Sequence, residues 1–351
     1  MQGALADRSD LVQSARMLTR HLDEPRPAHY WVDFLVAHLS GWAVFYFAAS
    51  SLASWPWRGV AFIGGVFLWY RSISFIHELV HSKSRRMRAF AHTWNLIAGI
   101  PFLCPSFLYS THLLHHSPST YGTREDGEYT PWGAAHPGHI LAFSISSVAA
   151  PWLALLRFGF LAPVSWIVPA LRPWVQQRAS ALVVHGLHHR PIPSAGDLRN
   201  WRIQEAGAFL WINIIVWSAA FDHLSWRWPV GLMASLGTVS FINSIRTLAA
   251  HRFRNTGRTM SYLNQVEDSV NHPDGGLLTE LLCPVGLRFH ALHHMLPSLP
   301  YHSLPEAHRI LMRELPADSL YRQTNSPSVW ATVAQLVRDA RSASVLKLTR
   351  S

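Results

Sequence analysis

The sequence predicts an all-α polytopic membrane protein with about four transmembrane helices, further re-entrant or interfacial helices, and a cytoplasmic cap. Three observations carry this. Four apolar stretches are each long enough for a bilayer crossing, which takes roughly 20 residues of helix. Only 14% of the 351 residues are charged against 49% hydrophobic, whereas a soluble domain usually carries about 25% charged residues. Lysines and arginines cluster just outside the apolar runs, as the positive-inside rule expects of cytoplasmic segments. The net charge of +10 would also suit nucleic acid, but no RNA-binding motif accompanies it and the apolar spans argue against that partner. The two cysteines, Cys104 and Cys283, lie in apolar surroundings and imply no disulfide framework.

In chain order, residues 1–30 are polar, carry Arg16, Arg20 and Arg26, and read as a cytoplasmic segment without a cleavable signal peptide. The first span is 33–53. Trp55 and Trp57 mark the far interface in the turn that follows, and 59–76 returns. The basic run 83–88 pins that edge. Residues 91–109 are apolar but broken by Pro101 and Pro105, so this segment reads as re-entrant or interfacial. Residues 139–171 contain Pro151, Pro163 and Pro169 and contribute zero or two crossings. Spans 207–224 and 228–248 complete a membrane domain of residues 31–310, and 311–351 form a C-terminal cytoplasmic helical segment. Ser303 with Glu306 matches a capping box. Ser326-Pro327 opens a last helix, whose Val329, Trp330, Val333, Leu336 and Val337 make an apolar stripe. There is no internal repeat.

The chemistry lies in histidine. His77 and His81 sit in FIHELVH, His112, His115 and His116 in STHLLHH, and His290, His293 and His294 in LRFHALHH. Residues three or four apart share a helix face, so imidazoles within each box can point together. Neutral imidazole binds iron, copper, zinc or nickel. One such box is a weak signal among 22 histidines, because a satisfied surface histidine is commoner. Three boxes, each placed where an apolar stretch gives way to polar residues, are hard to explain as chance.

From about residue 60 to about 308 this pattern, HxxxH then HxxHH then HxxHH, resembles the membrane fatty acid desaturase and hydroxylase superfamily. The resemblance implies two iron ions (Fe2+/Fe3+) held by His77, His81, His112, His115, His116, His290, His293, His294 and a further ligand, His251. Some members place an asparagine four residues before that last histidine, reaching iron through water; here the position is Thr247, with Asn243 and Asn255 a turn away. The alternative for His251 is an interfacial residue beside Arg252 and Arg254, but a lipid-facing ionisable group is costly. The resemblance also implies O2-dependent oxidation of an unactivated C–H bond in a fatty acyl chain, most simply desaturation. Hydroxylation or oxidative decarboxylation to a terminal alkene can use the same scaffold. Membrane lipid and a separate electron donor of ferredoxin, rubredoxin or cytochrome b5 type are the implied partners. His136-Pro137-Gly138 and His272-Pro273 look slightly like a cytochrome b5 haem motif, but neither leads a large enough soluble segment.

Rival readings stay beside these. FIHELVH is also HExxH, in which Glu78 would be the general base of a zinc protease; that leaves two boxes unexplained. In a desaturase-like site Glu78 instead orients an imidazole. Asp126, within Glu125 to Glu128, and Asp268, beside Glu267, either do the same or are simply solvated. A metal transporter would place its ligands near mid-membrane, whereas these boxes fall at span ends. The fourth box, HGLHH at His185, His188 and His189, precedes the last pair of spans and lies among Arg178, Arg190, Pro191 and Pro193. It reads as a loop without metal.

Overall fold

The computed structural model describes residues 2–50, 54–82, 84–184, 186 and 188–348. Among the described residues it is 71% helix with no strand. In chain order the helices are α1 (Gln2–Thr19), α2 (Pro27–Ala49), α3 (Trp55–His81), α4 (Arg88–Trp94), α5 (His112–His115), α6 (Pro137–Ser146), α7 (Ala150–Leu156), α8 (Ala162–Ile167) and α9 (Arg172–Arg178). There follow α10 (Ala195–Ala220), α11 (Arg227–Ala250), α12 (Tyr262–Asp268), α13 (Gly276–Leu282), α14 (His290–Met295), α15 (Leu304–Glu314), α16 (Leu320–Gln323) and α17 (Val329–Leu348). The chain forms two compact units, one of Pro27–His112 with Phe143–Ser244, the other of Met1–Arg26, Leu113–Ala142 and Ile245–Ser351. We call them the membrane unit and the cap unit.

Among the described residues five helical stretches are long and apolar enough to cross a membrane: α2, α3, α10, α11 and the interrupted run Pro137–Ile167. The run is α6, a 3-10 turn, α7, a π turn and α8, with Pro151 and Pro163 in the first turns of α7 and α8, where proline is tolerated. The stretch 91–109 is α4, a π turn at Asn95–Gly99, a loop with Leu103 at φ 55°, and the 3-10 turn Ser106–Tyr109. The helix at 207–224 begins earlier than its apolar run, at Ala195, because Ser194 accepts from the backbone N–H of Asp197 as its N-cap. Ser51, Leu52 and Ala53 of the first expected span, Lys83 of the basic run, and His185 and Leu187 of the fourth histidine box lie outside the described residues.

In the membrane unit α2 and α3 pair as a hairpin. Lipid gives no hydrophobic drive between helices, so packing and internal polar contacts must hold it. Gly41 supplies the close approach: a Cβ there would stand 2.4 Å from Cδ1 of the buried Trp69. His38 is buried in α2 yet satisfied, since Trp42 donates to its Nε2 at 3.1 Å, which leaves Nδ1–H for the Ser72 hydroxyl at 3.0 Å. Arg71 grips Asp33 through two bonds of 2.6 Å. Around the other helices, Glu205 is wholly buried between Arg157 and Arg172.

The cap unit has an apolar core in which Leu11 and Ala15 of α1 and Leu304, Ala307 and Leu311 of α15 pack with Val266, Leu292 and Met295. Each fully buried large aliphatic side chain contributes about 1.5–3 kcal/mol. Asn271, fully buried, ties the elements that carry chemistry. Its backbone bonds Thr324 and Ser326, and its side-chain oxygen accepts from the N–H of Leu292 at 3.1 Å. Three helix-end expectations are corrected here. Ser303 makes no side-chain cap on α15, because its φ/ψ of −93°/−18° is already helical; its hydroxyl meets His302 Nδ1 instead. At α17 it is Ser328, not Ser326, that accepts from the third residue's N–H, that of Ala331, at 3.1 Å. Trp330 leaves the apolar stripe and is 50% exposed, while Val329, Thr332, Leu336 and Ala340 are buried.

Candidate metal centre

The cap unit brings four buried imidazoles together. His115 ends α5, His251 follows the last residue of α11, and His290 and His294 lie one turn apart on α14. One ring nitrogen of each lies within 4.8 Å of the others, and none of the four is more than 3% exposed. His251 Nε2 stands 3.1 Å from His115 Nε2 and 2.9 Å from His290 Nε2.

Hydrogen bonds behind two of these rings fix where their protons are. Asp126 Oδ2 takes the Nδ1–H of His115 at 2.9 Å, and Asp126 is in turn held by the backbone N–H groups of Gly122 and Glu128. Gly122 sits at φ +71°, where a side chain is strained, and a Cβ would also strike Asn255 Nδ2 at 2.3 Å. On His251, Nδ1 faces the Tyr121 hydroxyl at 2.9 Å and the Ser269 hydroxyl at 3.2 Å. The Tyr121 proton goes to Asp268 Oδ2 at 2.9 Å, and the Ser269 proton to the Gln265 carbonyl at 2.7 Å. Both oxygens therefore accept from the Nδ1–H of His251.

It follows that the Nε2 atoms of His115 and His251 both carry lone pairs, and these face each other across 3.1 Å. Facing lone pairs repel unless a cation lies between them. His294 has both ring nitrogens buried without a hydrogen-bond partner, a cost of about 1–3 kcal/mol per group that ligation would remove. Ring nitrogens 2.9 and 3.1 Å apart are close enough to ligate one ion together. The donor set fits a nitrogen-preferring transition metal.

Electrostatics keep the lone pairs of His251 and His294 available. Burial pushes His251 well below the ordinary histidine range, and so do the neighbouring His115 and Arg246. His294 is also held well down by burial and by the surrounding imidazoles. Burial alone would lower His115, but Asp126 outweighs it and leaves His115 raised. Burial alone would raise Asp126, but His115 and the two backbone N–H groups bring it below the usual carboxylate range. Asp268 is raised by burial, against the hydrogen bonds from Tyr121 and Tyr129.

The membrane unit assembles a second set. His77 and His81, one turn apart on α3, meet His112 with ring centroids 4.8–5.2 Å apart. Tyr109 stacks on His112 at 4.6 Å and 15°. Glu78 Oε1 is 3.9 Å from His77 Nδ1, and Glu78 Oε2 accepts from the Tyr30 hydroxyl at 2.7 Å. In the cap unit His116 Nε2 and His293 Nε2 lie 3.1 Å apart, and the His116 ring stacks on that of His294 at 4.2 Å.

The structure thus puts Glu78, Asp126 and Asp268 behind imidazoles. Thr247 is half-buried on α11, one turn before His251. Asn243 accepts from Tyr70, and Asn255 holds the Gly122 and Arg258 carbonyls. His188 is buried and His189 exposed; among the described residues neither belongs to a group of potential metal ligands. Sequence reasoning missed Tyr30, Tyr121, Ser269 and Asn271, because single neutral residues far along the chain carry no spacing signal. Only Tyr121-Gly122, close after the second box, offered a turn cue.

A family model described as fatty acid desaturase matches residues 53–325. The chain belongs to the fatty acid desaturase family. A ceramide hydroxylase from Caulobacter vibrioides (strain NA1000 / CB15N) is 35% identical over 336 residues, covering 94% of each chain. No solved structure matches. As a member of the fatty acid desaturase family with five apolar helices, the chain is an integral membrane oxidoreductase of fatty acyl lipids. Family membership also answers the protease and transporter readings of the histidines.

Proposed function

We propose that the protein hydroxylates the hydrocarbon portion of a ceramide-class lipid, using O2 and two irons. The observation that carries this reading is the similarity to a ceramide hydroxylase along nearly the whole of both chains. One iron would be held by His115, His251, His290 and His294 of the cap unit, and His77, His81 and His112 of the membrane unit would serve the other, with His116 and His293 the remaining ligands of the nine. When bound, ferrous iron supplies the electrons and open positions that reduce dioxygen.

The chain's own contribution is orientation. Asp126 and the Tyr121–Ser269 pair hold His115 and His251 as Nδ1–H tautomers, so that Nε2 faces the centre. Tyr30 holds Glu78, whose Oε1 lies 3.9 Å from His77 Nδ1. Hydroxylation places one oxygen atom in a C–H bond and releases the other as water, taking two electrons and two protons from a separate donor of ferredoxin, rubredoxin or cytochrome b5 type. The histidine boxes would face the cytoplasm, where such donors are found.

Desaturation is the second reading, favoured by the description of the family model itself. It consumes the same dioxygen and electrons but releases two waters and leaves a double bond. Lipid mass spectrometry of cells expressing the wild type and the His294→Ala variant tests both. Gain of one oxygen in a ceramide, absent from the variant, is the expected result. Loss of two hydrogens would replace hydroxylation by desaturation, and no lipid change would remove both.

A further inference from the structure

The fourth histidine box, HGLHH, is followed by Arg190, whose surroundings are unusual for a charged residue. Arg190 is 5% exposed. Its guanidinium donates to the Phe107 carbonyl at 2.8 Å, to the Ser180 carbonyl and to the Ser110 hydroxyl, and it lies 3.8 Å over the ring of Trp201. All of these partners are neutral. Burying a cation without a carboxylate in contact is expensive, so its hydrogen bonds must all be made.

The places it grips are informative. Phe107 and Ser110 flank Tyr109, at the end of the 3-10 turn Ser106–Tyr109. Tyr109 is the ring that stacks on His112, and His112 begins the second box. Trp201 in turn stacks on Phe107 at 4.8 Å. Asn95 holds the start of the same turn through Ser106, and Gln204 accepts from the N–H of Phe107. Of these anchors, Arg190 is the one that reaches past Tyr109 to Ser110. A rigid fork of donors can serve acceptors in several directions at once; the point charge of lysine cannot.

We propose that Arg190 is a positioning residue for His112, the first residue of the second histidine box, fixing the turn before it so that Tyr109 presents His112 to metal. This rests on the di-iron reading of the site. The bland alternative is a loop anchor that supports the membrane unit as a whole.

The two metal sets separate these ideas, because the four-histidine set of the cap unit contains no residue of this turn. The experiment measures iron per chain, the cobalt(II)-substituted visible spectrum and the melting temperature for wild type, Arg190→Met, Arg190→Lys and Ser110→Ala. Wild type should hold two irons; if it holds none, the di-iron reading fails and not this one alone. Arg190→Met should fall to about one iron, change the cobalt spectrum and melt near wild type. Arg190→Lys should restore only part of the loss. Two irons and an unaltered spectrum in Arg190→Met overturn the proposal. So does loss of both irons together with a collapsed melting temperature, which marks a merely structural residue. Should Arg190→Met fail to insert, Ser110→Ala decides. A chelator resistance lowered about tenfold, in the range for loss of a residue behind a ligand, supports the proposal, and an unchanged one overturns it.

Discussion

At the scale of single residues, the centre depends as much on what stands behind the imidazoles as on the imidazoles themselves. His115 can offer Nε2 only while Asp126 keeps the proton on Nδ1. Asp126→Asn removes that charge, frees either tautomer and should lower metal affinity by about 10–100-fold; competition against a graded chelator series measures it. Tyr121→Phe should cost less, because Ser269 still accepts from His251 Nδ1. An Asp126→Asn affinity equal to wild type would sever the argument from tautomer to ligation. The acidic residues were legible in the sequence only as two options, paired or solvated. Burial decides between them, with Asp126 at 0% and Asp268 at 5% exposure, and burial depends on neighbours such as Tyr121 and Gly122 that no spacing rule names.

At the scale of elements, histidine spacing was legible because it obeys helix geometry: His77 with His81 and His290 with His294 each share a face one turn apart. Helix starts were less legible. A capping pattern states which side chain is able to cap, while the backbone leading into the helix decides which one does. Ser303 enters α15 from a preceding 3-10 turn at Tyr301–Ser303, with helical dihedrals, so it cannot reach back as an N-cap does. Ser328→Ala should therefore destabilise the cap unit by about 1 kcal/mol, and Ser303→Ala by clearly less. Thermal melts of the two detergent-solubilised variants check the order, and the reverse order would contradict the dihedral argument. The run Pro137–Ile167 resists reading for a related reason. Its prolines interrupt hydrogen bonding at α7 and α8 without ending the helical path, so composition alone does not say where it turns.

At the scale of the whole molecule, a chain with 22 histidines has a stability that must depend on pH, and two buried histidines outside the metal groups isolate the effect. His272 is 1% exposed with Nε2 facing Thr332, and His308 is 7% exposed with Nδ1 facing Tyr321. Burial lowers both from 6.5 to about 4. Their folded forms stay neutral down to that value, while the unfolded chain takes up protons below 6.5. The unfolded state thus binds more protons between pH 6.5 and 4, and stability drains as pH falls through that window. Above 6.5 both are neutral in either state and contribute no slope. Each histidine lowers stability by on the order of 3 kcal/mol by the bottom of the window, because every tenfold difference in proton affinity between the two states is worth about 1.4 kcal/mol. The chain has many other histidines, so the measurement is a difference: melting temperature against pH for wild type and for the His272→Gln, His308→Gln double variant. Glutamine keeps a hydrogen-bonding group and cannot charge. The variant should lose less stability than wild type on going from pH 6.5 to 5, with the two curves parallel above pH 7. Parallel curves across the whole range would mean that these two buried imidazoles already exchange protons freely with solvent in the folded state.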